Sequence, residues 1–116
     1  MKYLLLIYSD EKADANASKE EQDAWMGEYL AYTDAMQKAG ISLAGEALHP
    51  TSAATTVRVQ NGKKLTTHGP FAETQEQLGG YYLLECKNLD EAMEWAAKCP
   101  GARVGSIEVR PVMEFS

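Results

Sequence analysis

The chain opens on Tyr3-Leu4-Leu5-Leu6-Ile7-Tyr8, an apolar run with no polar alternation. Such a run suits a strand covered on both faces, which predicts a central position in a sheet. A polar connection, Ser9 to Ala17, follows. Ser18 and Glu21 then form a capping box, in which hydroxyl and carboxylate each satisfy a free amide at a helix start. The helix carries Trp25, Tyr29, Thr33 and Met36 down one face, with Met26, Leu30 and Ala35 beside it, and Gly40 closes it. Ile41 to Ala47 reads as a short strand with Ile41, Leu43 and Gly45 on one face, and His49 to Ala54 as a loop. Thr55–Gln60 and Lys63–Thr67 flank Asn61-Gly62, a hairpin signal because both central positions of the tight turn take positive φ. A two-residue turn sets Val59 opposite Lys64 and Val57 opposite Thr66, which predicts a wet, protruding or edge hairpin. Tyr81 to Cys86 is the next strand. Asn88 caps a second helix with Glu91 three residues on, its apolar face supplied by Leu89, Ala92, Met93, Ala96 and Ala97. Pro100-Gly101 stops it. Val104 to Val109 is the last strand, with Ile107 and Val109 on one face, Glu108 and Arg110 on the other, and Pro111 limiting its pairing.

Strand, helix, strand, hairpin, strand, helix, strand is an α+β order: the ferredoxin-like split βαβ arrangement with an extra β-hairpin. With no repeat, low-complexity tract or long linker, residues 1–116 form a single domain. Both helices are expected on one face of an antiparallel sheet. The other face would then hold leucine, isoleucine and tyrosine in water, so a second copy is its natural cover and a homodimer is expected.

Composition narrows the functional classes. Eleven basic against seventeen acidic residues, a formal net charge of -6, disfavour phosphate-backbone binding, and no nucleic-acid role is expected. Tyr3 to Tyr8 is far short of the roughly 20 residues of a membrane span and lacks the basic start of a signal peptide, so no membrane role is expected and the cytoplasm is the expected compartment. Cys86 and Cys99 have no metal-type spacing and read as reduced thiols.

The segment His68 to Tyr81 departs from plain strand-and-helix patterning. Gly69-Pro70 swings the chain outward, and Gly79-Gly80 permits a sharp bend or a close backbone approach before Tyr81. Between them lie Glu73, Gln75, Glu76 and Gln77, rich in acid and amide. His68 to Tyr81 with Tyr82-Leu83-Leu84-Glu85 resembles the signature segment of the DGPF family in the YCII-related superfamily, its Asp-Gly-Pro-Phe standing here as His68-Gly69-Pro70-Phe71. Met1 to Tyr8, Gly45 to Leu48, and Cys99-Pro100 with Val104 to Val112 also fit. The resemblance implies a dimeric α/β barrel, closed sheet to sheet by two copies. It also implies genomic company with extracytoplasmic-function sigma factors. A His on the first helix and an Asp at the end of the second are the superfamily's candidate acid/base pair. Here an ungapped match puts the Asp position on Cys99 and the His position near Tyr29, so neither residue is kept. A neutral phenol and a thiol exchange protons poorly near neutrality.

Local candidates remain. His68 is the one imidazole close in sequence to Glu73 and Glu76, and His49 stands near Glu46 in the Gly45-Glu46-Ala47-Leu48-His49-Pro50 turn. A histidine paired with a carboxylate binds a small polar ligand or moves a proton, although a surface histidine at a strand end is the commoner case. His68, Glu73, Glu46, His49 and Tyr29 are therefore the candidate ligand-binding residues. No H-x-H, H-E-x-x-H or thiolate spacing points to a metal, and no dinucleotide or phosphate fingerprint points to a cofactor. Two functions fit: binding of a small polar molecule at the sheet edge, with or without an enzymatic step, and accessory or regulatory work through partner proteins. An enclosed polar cleft marks the first, an exposed apolar patch outside the dimer seam the second.

Overall fold

A computed structural model describes residues 1–115. Along the chain run β1 (Lys2–Ser9), α1 (Glu11–Asp14), α2 (Lys19–Lys38), β2 (Ser42–Ala47), β3 (Thr55–Gln60), β4 (Lys63–His68), β5 (Gln77–Glu85), α3 (Leu89–Lys98) and β6 (Ser106–Pro111). Short 3-10 turns lie at Thr51–Ala53 and Pro100–Arg103. The main sheet has the order β2-β5-β1-β6 with every neighbour antiparallel. β5 lies between β2 and β1, and β1 between β5 and β6, so both helical crossovers skip one strand. This is the α+β, split βαβ connectivity expected from the element order. The apolar opening run does pair on both edges, with β5 and with β6.

Alternation sorts the sheet into two faces. Tyr3 and Leu5 of β1 and Leu84 of β5 are buried with Tyr32 and Met36 of α2 and Ala92 and Ala96 of α3, and Ile7, Tyr82, Ile107 and Val109 pack against them. The intervening positions point away from both helices. There the register aligns Ala44, Leu83, Leu4 and Arg110 in one row and Glu46, Tyr81, Leu6 and Glu108 in the next. This open face is apolar in the middle and charged toward its two edge strands.

Local signals set the helix ends. Glu21 N–H donates to Ser18 Oγ at 3.1 Å while the Glu21 carboxylate accepts from Ser18 N–H, and Gly40 takes φ +73 after the last turn of α2. Asn88 Oδ1 accepts from Glu91 N–H at 3.0 Å and starts α3. The buried stripes keep the expected face of α2, Trp25, Tyr29, Thr33 and Met36, and Ala92 and Ala96 of α3, but differ at the flanks. On α2 the core side is Trp25, Tyr29, Tyr32, Thr33 and Met36, and Met26 and Leu30 are exposed. On α3 it is Ala92, Trp95 and Ala96, and Leu89 and Met93 are exposed. Tyr32 turns the balance on α2: its hydroxyl donates to the Trp95 carbonyl at 2.7 Å, and its ring meets Tyr82 edge-on at 5.5 Å.

Boundaries and register also differ, β6 beginning at Ser106 rather than Val104. Asp10 caps a helical turn, α1, inside the expected polar connection. A register shift between Ser42 and Ala44 puts Leu43 out of line, so it is exposed while Ile41 is buried. β5 begins at Gln77 rather than Tyr81, and Gly79-Gly80 lies within it: the register slips between Ile7 and Tyr8, leaving Gly79 as the extra residue of a bulge. At Gly80 a Cβ would stand 2.9 Å from the Glu46 carbonyl oxygen, so the glycine serves a close strand approach rather than a bend.

The hairpin β3–β4 is a separate two-stranded sheet. Asn61 (φ 51) and Gly62 (φ 75) form its turn, and Val59 faces Lys64 and Val57 faces Thr66, as expected. Nearly every residue of it is exposed. The molecule measures 47 × 47 × 18 Å. Its radius of gyration, 16.2 Å, exceeds the roughly 13 Å of a compact chain of this length.

Three substitutions separate these packing statements in urea unfolding. Leu5→Ala, at a fully buried site, is expected to cost about 2–5 kcal/mol. At Gly45 a Cβ would lie 2.5 Å from Tyr82 Cδ1, so Gly45→Ala overpacks the edge of the core and is expected to cost about 1–3 kcal/mol. Gly27, within α2, has open space around it, and Gly27→Ala is expected to stabilise by about 0.4–1 kcal/mol.

Candidate functional site

The loop from Gly69 to Glu76 is tied down at both ends. Gly69, at φ +100, donates its N–H to the Ala54 carbonyl at 2.8 Å, and its own carbonyl accepts from Thr56 Oγ1 at 2.8 Å. At the other end Thr74 Oγ1 donates to the Glu76 carbonyl, and the Gln77 side-chain amide donates back to the Thr74 carbonyl. Gln77 Oε1 in turn accepts from Glu11 N–H at 3.0 Å. The Glu11 carboxylate takes both the N–H and the hydroxyl of Thr51, at 2.8 and 2.7 Å. α1 thus fixes the turn after β2 and the start of β5 in one hydrogen-bonded frame.

Held this way, the loop forms one wall of an open groove of about 680 Å³ at the edge of the sheet's open face, lined by Tyr8, Thr74, Gln75, Glu76 and Glu108. Ser106 Oγ donates to Glu76 Oε1 at 2.8 Å and pins the loop to β6. Glu108, whose carboxylate also accepts from Arg110, reaches the groove because β6 turns Ile107 and Val109 to the helices and Glu108 away from them. Carboxylate, amide and phenol oxygens predominate, so the groove suits a ligand rich in hydrogen-bond donors. Among the described residues no group of three or more His, Cys, Asp or Glu could hold a metal ion.

The five sequence candidates do not line this groove. His68 ends β4, Glu73 lies in the loop, Glu46 is on the edge strand β2 and His49 follows it; all four side chains are exposed. Among the described residues no hydrogen bond or ion pair joins any two of the five. Tyr29 lies in the helix layer, on the side of the sheet opposite the Glu46–Tyr81–Leu6–Glu108 row. Within one copy these five side chains are not brought together. The residues that line the groove instead were legible only in part: Thr74, Gln75 and Glu76 lie in the singled-out segment, and Glu108 follows from the alternation of β6. Tyr8 gave no signal beyond its place in an apolar run.

The whole chain, residues 1–116, matches the YCII-related domain. It belongs to the YCII-related family. The match extends to a protein of Rhizobium meliloti (strain 1021) described as uncharacterised, 41% identical over 114 residues that make up 97% of this chain and 92% of that one. DGPF is one of the family names within this group, in keeping with the Gly69-Pro70-Phe71 segment.

In this YCII-related domain Tyr29 and Cys99 do meet. Cys99 Sγ donates to Tyr29 Oη at 3.6 Å, and Gly101 N–H donates to the same oxygen at 3.1 Å. A Cβ on Gly101 would fall 2.7 Å from that hydroxyl, so the glycine makes room for it. Burial, reinforced by the bond from Cys99, raises the Tyr29 phenol above its ordinary range, and burial raises the Cys99 thiol. Both stay protonated at neutral pH, and the pair acts as a latch between α2 and the turn after α3 rather than as a proton relay. Cys86, the other free thiol, is pushed up to about 11 by burial first and Glu91 next.

Tyr29→Phe leaves the Gly101 amide without its acceptor and is expected to cost about 1–3 kcal/mol in urea unfolding. Cys86 also fixes an alkaline limit. Its thiol keeps its proton to about 11 when folded, against 9.0 for a free thiol. Its contribution to stability is thus fully present below pH 9 and lost as pH rises through about 11, since the unfolded chain ionises first. The melting temperature is expected to fall across that window, and to fall less in Cys86→Ala.

Proposed function

We propose that this YCII-related domain works as a homodimer, two copies closing the open faces of their ferredoxin-like sheets into an α/β barrel, and that the groove at the sheet edge binds a small polar molecule. One observation carries the reading: the face bearing Leu4, Leu6, Tyr81 and Leu83 has no helix on it, in a molecule with far too much surface. The chain exposes 8422 Å², against about 6,300 Å² for a compact monomer of its mass. The excess, about 2,000 Å², is the amount each partner buries in a large, stable interface. Glu76 and Glu108, at the edge of the face to be covered, are the groups that receive the ligand's donors. Binding rather than turnover is the function assigned, because the groove lacks an acid/base pair and the Tyr29–Cys99 pair holds its protons at neutral pH. Two buried free thiols suit the reducing cytoplasm, and among the described residues no helix is long and apolar enough to cross a membrane.

A second reading is favoured by Met26 and Leu30, exposed side by side on α2 away from the proposed seam. They fit an accessory protein that docks a partner chain on this helix.

Sedimentation equilibrium and thermal shift test the first reading together. The native chain is expected to run as a dimer and Leu83→Glu as a monomer. In a panel of amines, polyols and amides, a ligand at about a hundred times its Kd adds about 2.7 kcal/mol of stability, and the Glu76→Gln/Glu108→Gln double variant loses that gain. A native chain that sediments as one copy, or a panel in which nothing raises the melting temperature, overturns it. The second reading predicts instead a co-purifying chain that is lost in Met26→Asp/Leu30→Asp.

A further inference from the structure

Charge is unevenly distributed along this chain. Between Glu46 and Glu73 there is no Asp or Glu, so the hairpin and its flanks hold three of the chain's eleven basic residues, Arg58, Lys63 and Lys64, and none of its seventeen acidic ones. The same hairpin leaves Val57, Val59 and Leu65 exposed, Val59 by 70%. It joins no strand of the main sheet. An isolated two-stranded hairpin is at best marginally stable in water, so an arm with apolar side chains on it requires a surface to lie on. Its own body is not that surface: two hydrogen bonds at Gly69 join only the base of the arm and its own flank, and Arg58 stacks on Phe71, itself 76% exposed.

We propose that the β3–β4 arm docks on a second copy of this chain and roofs that copy's groove, its cations facing Glu76 and Glu108. This rests on the dimer reading above and deepens it. Charge complementarity selects the occupant, because the rest of the chain is strongly acidic while the arm is purely basic. The open-face rows select the place. At the β6 edge Glu108 stands beside Glu76, with Arg110 as the cation already paired to Glu108 and none among the described residues paired to Glu76, so two copies laid face to face leave a net negative rim unless further cations are supplied there. The arm, six residues per strand, spans roughly 20 Å, enough to cross the seam from the end of one sheet. The groove, open in one copy, then becomes a chamber with acidic walls from one chain and a basic roof from the other.

Sedimentation equilibrium at low and high salt decides this. Arg58→Glu/Lys63→Glu/Lys64→Glu and Glu76→Lys/Glu108→Lys are each expected to raise the dimer Kd about tenfold or more at low salt. Combining all five changes in one chain is expected to restore it to within about threefold of native, and high salt is expected to shrink the differences. Circular dichroism of each variant, whose changes are all outside the buried core, checks that the fold is kept. An arm variant within twofold of native, or a five-fold variant no tighter than its parents, overturns the proposal. If Leu83→Glu abolishes the dimer and arm reversal does not, the arm contact fails and the sheet seam stands. The opposite outcome leaves the arm contact standing without the seam.

Discussion

Everything in this molecule is arranged around the double pairing of β1. Because its backbone is hydrogen-bonded to β5 on one edge and β6 on the other, its side chains have only two directions left, and both are apolar. Tyr3 and Leu5 go under the helices, fully covered. Leu4 and Leu6 go to the opposite side, where the chain provides no layer. A central strand apolar on both faces therefore requires two covering layers, and one copy of this sequence supplies only one.

The helix layer is fastened by tyrosine hydroxyls rather than by charge. Tyr32 reaches the Trp95 carbonyl, Tyr82 meets Thr33, and Tyr29 accepts from Gly101 and Cys99. Each couples α2 to a segment far along the chain, and each ring supplies apolar area as well. The ion pairs, by contrast, lie on the surface, where such pairs contribute little. At Tyr29 and Cys99 this architecture has placed a fastening between α2 and the turn after α3.

What could be read from the sequence was what short-range physics determines. Ser18 with Glu21, Asn88 with Glu91, and Asn61-Gly62 each satisfy or shape the backbone within four residues, so their structures follow from their spacing. The core face of α2, Trp25, Tyr29, Thr33 and Met36, followed from the helical spacing, but its flank did not: Met26 and Leu30 are exposed and Tyr32 is buried. The Tyr32 contact with α3 and β5 decides which flank is covered. The bulge at Gly79 and the exposure of Leu43 depend on how two strands align, which neither strand encodes alone. The candidate site suffered most. Tyr29 and Cys99 are 70 residues apart, and the groove joins the end of β1, a loop and the last strand, so no local spacing announces it. His68 and Glu73, conspicuous as residue types, are exposed.

The thinness of the molecule, 18 Å in its shortest dimension, has a final consequence. A slab one sheet and one helix deep has no interior beyond its own core, so it offers a guest no place sheltered from solvent. In the proposed dimer, shelter arises where two slabs meet. Occupancy of that proposed chamber would then depend on the abundance of the protein itself as much as on that of the guest: dilution would empty the site by dispersing its walls, and the guest in turn would hold the walls together.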